Sequence, residues 1–197
     1  MQKSIAQSTA TRTGVWVGIG AITMSFAAYT SAMVVRQGSA PEWPHFTLPP
    51  LLYWNTLVLA VSSGTLELAR RRIGGPFDRL GRAEALSDHE LRERLFWLQV
   101  TLALGIAFLA GQYLAWRGLV AQGVLLATSP SSSFFYLLTA VHALHLFGGL
   151  GALVYALRCF HVDDGPRPVN VLSAVALYWH FMAALWVYLL VVLALWV

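Results

Sequence analysis

Cysteine and charge are what this 197-residue chain has least of. Cys159 is its only cysteine, which excludes an internal disulfide, a C-x-x-C-H haem attachment and a thiolate metal cluster. Charged residues make up 11% of the chain, where a soluble domain carries about a quarter. No G-x-x-x-x-G-K-[ST] or G-x-G-x-x-G stretch occurs, so nucleotide-phosphate chemistry has no support. The 13 Lys and Arg are dispersed among apolar stretches, which argues against nucleic acid as a partner.

Apolar residues supply 57% of the chain. The charges leave five uncharged runs, at 13–35, 43–66, 95–116, 118–157 and 168–197, of 23, 24, 22, 40 and 30 residues. About 20 residues of helix cross a hydrocarbon core. The expected fold is therefore an all-α membrane protein, one domain over residues 1–197 with five transmembrane helices. The first run is too long for the apolar core of a cleaved signal peptide, and others follow it, so it reads as a retained helix. Pro49 and Pro50 suit the first turn of the second helix. Gly118, Gln122, Gly123 and the 129–133 Ser/Pro cluster read as a loop inside the 40-residue run. The expected helices are 14–35, 49–69, 88–116, 133–157 and 170–196, with a loop at 70–87.

Positive charge orients them. The N-terminal tail, the 70–94 segment and the 158–167 loop hold eleven Lys and Arg; the opposite side holds only Arg36 and Arg117. The expectation is a cytoplasmic N-terminus and a periplasmic C-terminus, in a multi-pass protein of the bacterial inner membrane. Ser87 with Glu90 forms a capping box, and Asp88–Arg92 and Glu90–Arg94 are favourable i,i+4 pairs. The third helix is thus expected to start near Asp88, as a solvated extension in preference to a docking surface.

Ionisable side chains inside spans are functional candidates, and here they are Glu67, His142, His145 and His180. His142 and His145 are i,i+3 and share a face with Gly148, Gly149 and Ala152. His180 precedes Ala183 and Ala184. The simplest packing puts all three imidazoles in the seam between the fourth and fifth helices. One pair plus one histidine makes at most one bis-His haem site, and no carboxylate stands at a neighbouring depth to complete a metal shell. The preferred reading is three neutral imidazoles hydrogen-bonded across helices. Glu67 is placed at headgroup depth beside Arg70 and Arg71. The eight tryptophans, among them Trp54, read as an aromatic belt near span ends. No self-sufficient active site emerges, so the chain reads as a subunit rather than an enzyme.

Four segments carry a resemblance. Phe135-Tyr136-Leu137-Leu138-Thr139-Ala140-Val141-His142-Ala143-Leu144-His145, then Gly148-Gly149, resembles the F-x-x-T-x-x-H-x-x-H segment of haem–copper oxidase subunit III. Tyr178-Trp179-His180-Phe181 with Trp186 resembles its terminal Y-W-H-F…W helix. Asn55-Thr56, Ser62-Ser63-Gly64 and Ala69-Arg70-Arg71 are similar to its N-T…S-S-G…A-x-x segment. Gly105, Phe108, Gln112 and Trp116 match its G-x-x-F-x-x-x-Q…W helix. The resemblance covers Gly14 to Val197 in the five-helix form of the family. An apolar stretch, Ile19–Thr23, stands where relatives often carry a glutamate, and Ser173 and Ala183 stand where carboxylates often flank Y-W-H-F.

The resemblance implies a subunit of a proton-translocating terminal oxidase with no catalytic, cofactor or metal residues of its own. Haem and copper would lie in partner subunits. It implies contact with subunit I, association with subunit II and with a subunit IV or a respiratory supercomplex, and phospholipid held between helices 1–2 and helices 3–5. His142, His145, His180, Tyr178, Trp179, Asn55 and Gln112 would be interhelical residues; Arg70, Arg71, Glu67 and Trp54 would contact lipid. The donor would be cytochrome c, with a quinol as the alternative. A haem b membrane anchor and a small transporter are the readings from other classes, and the transporter lacks repeat symmetry or broken half-helices.

Overall fold

The computed structural model describes residues 2–39, 43–73, 88–162 and 167–196, with side chains at 13–39, 43–71, 92–93, 95–160 and 170–196. They form five helices: α1 Gln2–Ser39, α2 Leu51–Ile73, α3 Asp88–Ala121, α4 Pro130–Val162 and α5 Arg167–Trp196. The Ser87–Glu90 capping box and the Asp88–Arg92 and Glu90–Arg94 pairs lie outside the described side chains. Four helices, all but α2, are long and apolar enough to cross a membrane. Asn55, Ser62, Ser63, Thr65 and Glu67 lower the hydropathy of α2.

Local chemistry sets the helix ends, and several run past the expected bounds. Pro49 and Pro50 accept the first α2 hydrogen bonds, from Leu52 N (3.0 Å) and Tyr53 N (3.1 Å). Helix α3 continues through Gly118 and stops at Gly123, whose φ of 81° is left-handed. Val124 N reaches back to Leu119 O and Gly123 N to Val120 O, both at 3.0 Å, the paired bonds of a Schellman stop. The serine cluster expected in a loop instead begins α4. Ser129 N donates to Ser132 Oγ (3.1 Å) and Ser132 N to Ser129 Oγ (3.2 Å), a capping box with serine in both roles, and Pro130 fills the first helical position.

Helix α2 packs on α3 and α5, α4 packs on α5 and α3, and α1 packs on α5 and α4. Among the described residues α1 and α2 do not pack on one another. The expected division into helices 1–2 and helices 3–5 is therefore replaced by an arrangement in which α5 separates α1 from α2. Residues 43–49 strap one end of the bundle: Trp43 Nε1 donates to Trp196 O (2.6 Å), and Ser131 Oγ donates to Pro44 O (2.6 Å).

Polar side chains of α2 point at α3. Asn55 Nδ2 donates to Phe108 O (2.9 Å), Ser62 Oγ to Thr101 O (3.2 Å), and Thr65 and Thr101 hydroxyls meet at 2.9 Å. Satisfying polar groups across helices is the condition for carrying them into hydrocarbon. Gly111 makes the Asn55 contact possible, because any Cβ there would overlap the Asn55 amide. Gly148, by contrast, has open space around its missing Cβ. Gly111→Ala should therefore cost about 1–3 kcal/mol through overpacking, while Gly148→Ala should be neutral or stabilising. Thermal unfolding of both variants in mild detergent checks the contrast.

Candidate functional site: the α2–α5 groove and its histidine

The three histidines diverge. His142 is fully buried between the rings of Phe108 on α3 (6.0 Å) and Trp186 on α5 (5.1 Å). Neither of its ring nitrogens has a hydrogen-bond partner among the described residues. His145 donates from Nδ1 to Val141 O within its own helix (2.7 Å), and its ring lies 5.9 Å from Phe26 of α1. His180 faces α2 and bonds Ser63. The expected shared seam is thus corrected to three separate environments. Residues at i and i+3 are displaced by about 60° around a helix, enough for His142 to enter one seam and His145 another.

The other singled-out residues are equally specific in placement. Tyr178 donates to His145 O (2.9 Å), joining α5 to α4. Trp179 is buried, and a Cβ at Gly105 would come within 2.7 Å of its ring. Gln112 is buried, and neither atom of its amide has a hydrogen-bond partner among the described residues. Trp186 donates to Thr56 Oγ1 (2.9 Å), joining α5 to α2. Trp179 and Trp186 sit inside the bundle, so the belt reading does not extend to them.

Between α2 and α5 lies a groove of about 330 Å³. Leu59, Ala60, Ala183, Ala184 and Val187 give it an apolar, small-residue lining, with Thr56 and Trp186 at one end and Ser63 and His180 at the other. One turn beyond Ser63 stands Glu67. Its Oε2 accepts from Arg70 Nε and its Oε1 from Arg70 Nη2 and Arg71 Nε, all at 2.8 Å. His180 Nε2 approaches Oε2 at 3.4 Å. Glu67 is mostly shielded while Arg71 is 77% exposed, and the carboxylate holds the two guanidiniums side by side. Trp54 is exposed on the same helix, but 16 residues from Arg70, which is about 24 Å of helix. It cannot share a headgroup with the arginines.

The spacing Ser63–Glu67–Arg71 was visible as one helical face. Its union with His180 was not, because nothing in the sequence says that α2 lies beside α5. Among the described residues, no three His, Cys, Asp or Glu side chains converge on a metal-sized site.

A family model described as "Cytochrome c oxidase subunit III" matches residues 82–197, from just before α3 to the end of α5. The chain belongs to the cytochrome c oxidase subunit III family. It is similar to a "Probable cytochrome c oxidase subunit 3" of Mycobacterium bovis, 32% identical over 176 residues, spanning 85% of this chain and 77% of that protein. A protein of the same description from Nocardia farcinica is 32% identical over 163 residues, 82% of this chain and 74% of its own. "Cytochrome c oxidase subunit 3" of Bacillus sp. PS3 is 25% identical over 188 residues, 91% and 82%. Family membership makes the chain an integral membrane component of a multi-subunit oxidase. His180 falls inside the family match, and Glu67, Arg70 and Arg71 precede it.

His142 offers a direct test of how the subunit III core is held. Each buried polar atom without a partner costs about 1–3 kcal/mol. His142→Phe should therefore be neutral or stabilising, whereas His142→Ala leaves a cavity beside Phe108 and Trp186 and should cost about 2–4 kcal/mol. Thermal unfolding in detergent separates them. Equal losses in both variants would mean that the ring nitrogens hold a bond that matters.

Proposed function

We propose that the chain is the cofactor-free subunit III of a proton-pumping haem–copper terminal oxidase that passes electrons from cytochrome c to oxygen. The observation that carries this is the family match to subunit III of cytochrome c oxidase. The names of the relatives favour cytochrome c over quinol as the donor. In this reading the haem and copper belong to partner subunits. The chain presses on subunit I through an apolar outer surface that includes Trp16, Met24, Leu144 and Phe147, all exposed in the bundle. It sustains turnover by keeping lipid and subunit I in place. Its polar core residues already serve helix contacts: Asn55, Thr101, Tyr178 and Trp186 each join two helices.

Five spans follow if α2 crosses with its polar residues turned to α3 and α5. The eleven-to-two bias of basic residues then puts the N-terminus and the Arg70 end of α2 in the cytoplasm of a bacterial inner membrane. A cysteine placed at Gly81, in a Cys159→Ser background, should resist an impermeant thiol reagent added to intact cells; labelling would reverse the orientation.

Arg70 and Arg71 then stand at the inner leaflet, where paired guanidiniums suit a lipid phosphate. Purification in mild detergent on a tag at this chain, with mass spectrometry of its companions, tests the reading as a whole. Subunits I and II should co-purify with phospholipid, and Arg70→Ala/Arg71→Ala should lose most of that lipid while keeping the subunits. Companions from a dehydrogenase, and a b-type haem spectrum in the isolated chain, would identify it as a membrane anchor instead.

A further inference from the structure

The turn between α3 and α4, residues 122–129, lies in the longest uncharged run of the chain. Its tip points outward and is apolar: Leu125 is 51% exposed and Leu126 59%. An exposed leucine by itself is ordinary, but the backbone beneath these two is not. Gly123 O accepts from Thr128 Oγ1 (3.3 Å), Val124 O from the Tyr136 hydroxyl (2.8 Å), Leu125 O from Ser132 Oγ (2.8 Å) and Leu126 O from Ser133 Oγ (2.6 Å). Leu125 N donates to Thr128 Oγ1 (2.9 Å), and Thr128 N donates to Leu125 O (3.1 Å). Four successive carbonyls at a surface turn thus each have a hydroxyl donor from the protein. A turn in water can leave such groups to the solvent; a turn facing lipid cannot.

The depth of the turn agrees with this. Uncharged residues 95–116 of α3 make about 33 Å of helix, close to a hydrocarbon core of about 30 Å, which puts Trp116 at the core's edge. The Tyr136 ring lies 6.3 Å from that of Trp116, so α4 crosses the same level there. Both rings turn their polar atoms inward, Trp116 Nε1 to Thr139 Oγ1 (3.1 Å) and the Tyr136 hydroxyl to Val124 O. Helix α3 ends at Ala121, about 8 Å past Trp116, so the chain turns within the headgroup layer. Leu126 reaches back to the level of the rings, because it walls a groove of about 340 Å³ with Trp116, Tyr136, Leu137 and Ala140. The α3 side of this groove runs on into Tyr113 and Val120, exposed one turn either side of Trp116 and outside the surface assigned above to subunit I.

We propose that the α3–α4 turn stays inside the membrane interface, with Leu125 and Leu126 against lipid and one phospholipid acyl chain seated in the groove that Leu126 walls. The chain need only be integral to the membrane for this, as family membership makes it; Arg70 and Arg71 play no part. The bonded carbonyls favour lipid over water as the surroundings of the turn. The groove favours lipid over a protein partner. Trp116 and Tyr136 spend their polar atoms inside the bundle, and the leucine and alanine side chains have none, so the lining asks its occupant for no hydrogen bond.

The experiment uses the intact oxidase complex carrying this chain, in nanodiscs of dioleoylphosphatidylcholine. Spin labels are placed at Leu125→Cys and Leu126→Cys in a Cys159→Ser background, and the complex without the new cysteine supplies the blank. Collision with oxygen, which partitions into lipid, is compared with collision with a water-soluble nickel chelate. Both labels should meet oxygen severalfold more than nickel. Preference for nickel would put the turn in water, and shielding from both would put it under a protein partner; either overturns the proposal. The groove is probed in the same nanodiscs with sub-saturating phosphatidylcholine bearing a photoreactive diazirine on its acyl chain, adducts being mapped by mass spectrometry. Adducts should fall on residues 116–140. Leu126→Ala, which removes three carbons from the partly covered wall, should lower their yield about fivefold and leave adducts elsewhere unchanged. Ala140→Phe, which fills the groove, should abolish them; if it fails to assemble, Leu126→Ala still decides. No adducts on this segment, or a yield that neither variant changes, overturns the groove as an acyl-chain site.

Discussion

A polar group carried into hydrocarbon must find its partner inside the protein, and the α2–α3 contact is where this chain meets that condition most fully. Asn55 reaches the Phe108 carbonyl over Gly111, and Ser62 and Thr65 close on Thr101. Hydrophobic burial drives little of the association between helices already solvated by lipid tails, so such bonds and close backbone approach decide which helices pair. With α2 fixed on α3, its opposite edge meets α5, where Thr56 accepts from Trp186. The groove, and the meeting of His180 with Ser63, are consequences of that placement.

The same condition explains why α4 and α5 can carry large side chains at their contact. A buried Trp179 lies between the Gly105 and Gly149 positions of two neighbouring helices. Glycine is needed there for space rather than for backbone freedom. Trp186 closes on Phe108 at 5.0 Å and on His142 at 5.1 Å, giving an aromatic centre in which an imidazole packs largely as a ring. The intramembrane histidines, obvious candidates for chemistry, are thus divided among aromatic packing, a bond to a carbonyl of the same helix and polar contacts with α2.

Much of the architecture was legible because charge is so scarce. The uncharged runs located all five helices, and the Pro49–Pro50 start of α2 followed from proline chemistry alone. The 129–133 segment was misread because a serine-rich stretch suits a loop and a helix cap equally; the cap won once Pro130 could occupy the first turn. The site was less legible. Ser63, Glu67, Arg70 and Arg71 share a helix face by spacing, yet their partner lies more than a hundred residues away on α5. The pairing of His142 with His145 misled for the opposite reason, since neighbours on one helix face can still enter different seams. Resemblance supplied the family, which composition and spacing could not.

A scaffold made of helix contacts, with the Glu67–Arg70–Arg71 cluster on α2, fits the proposed subunit that preserves an oxidase rather than one that performs its chemistry. The most direct measurement compares the oxidase with and without this chain for haem and copper content, initial turnover and activity over prolonged turnover. The account predicts unchanged haem and copper spectra and near-normal initial rates, with inactivation setting in after fewer turnovers when the chain is absent. Loss of a haem or copper signal on removing the chain would contradict it.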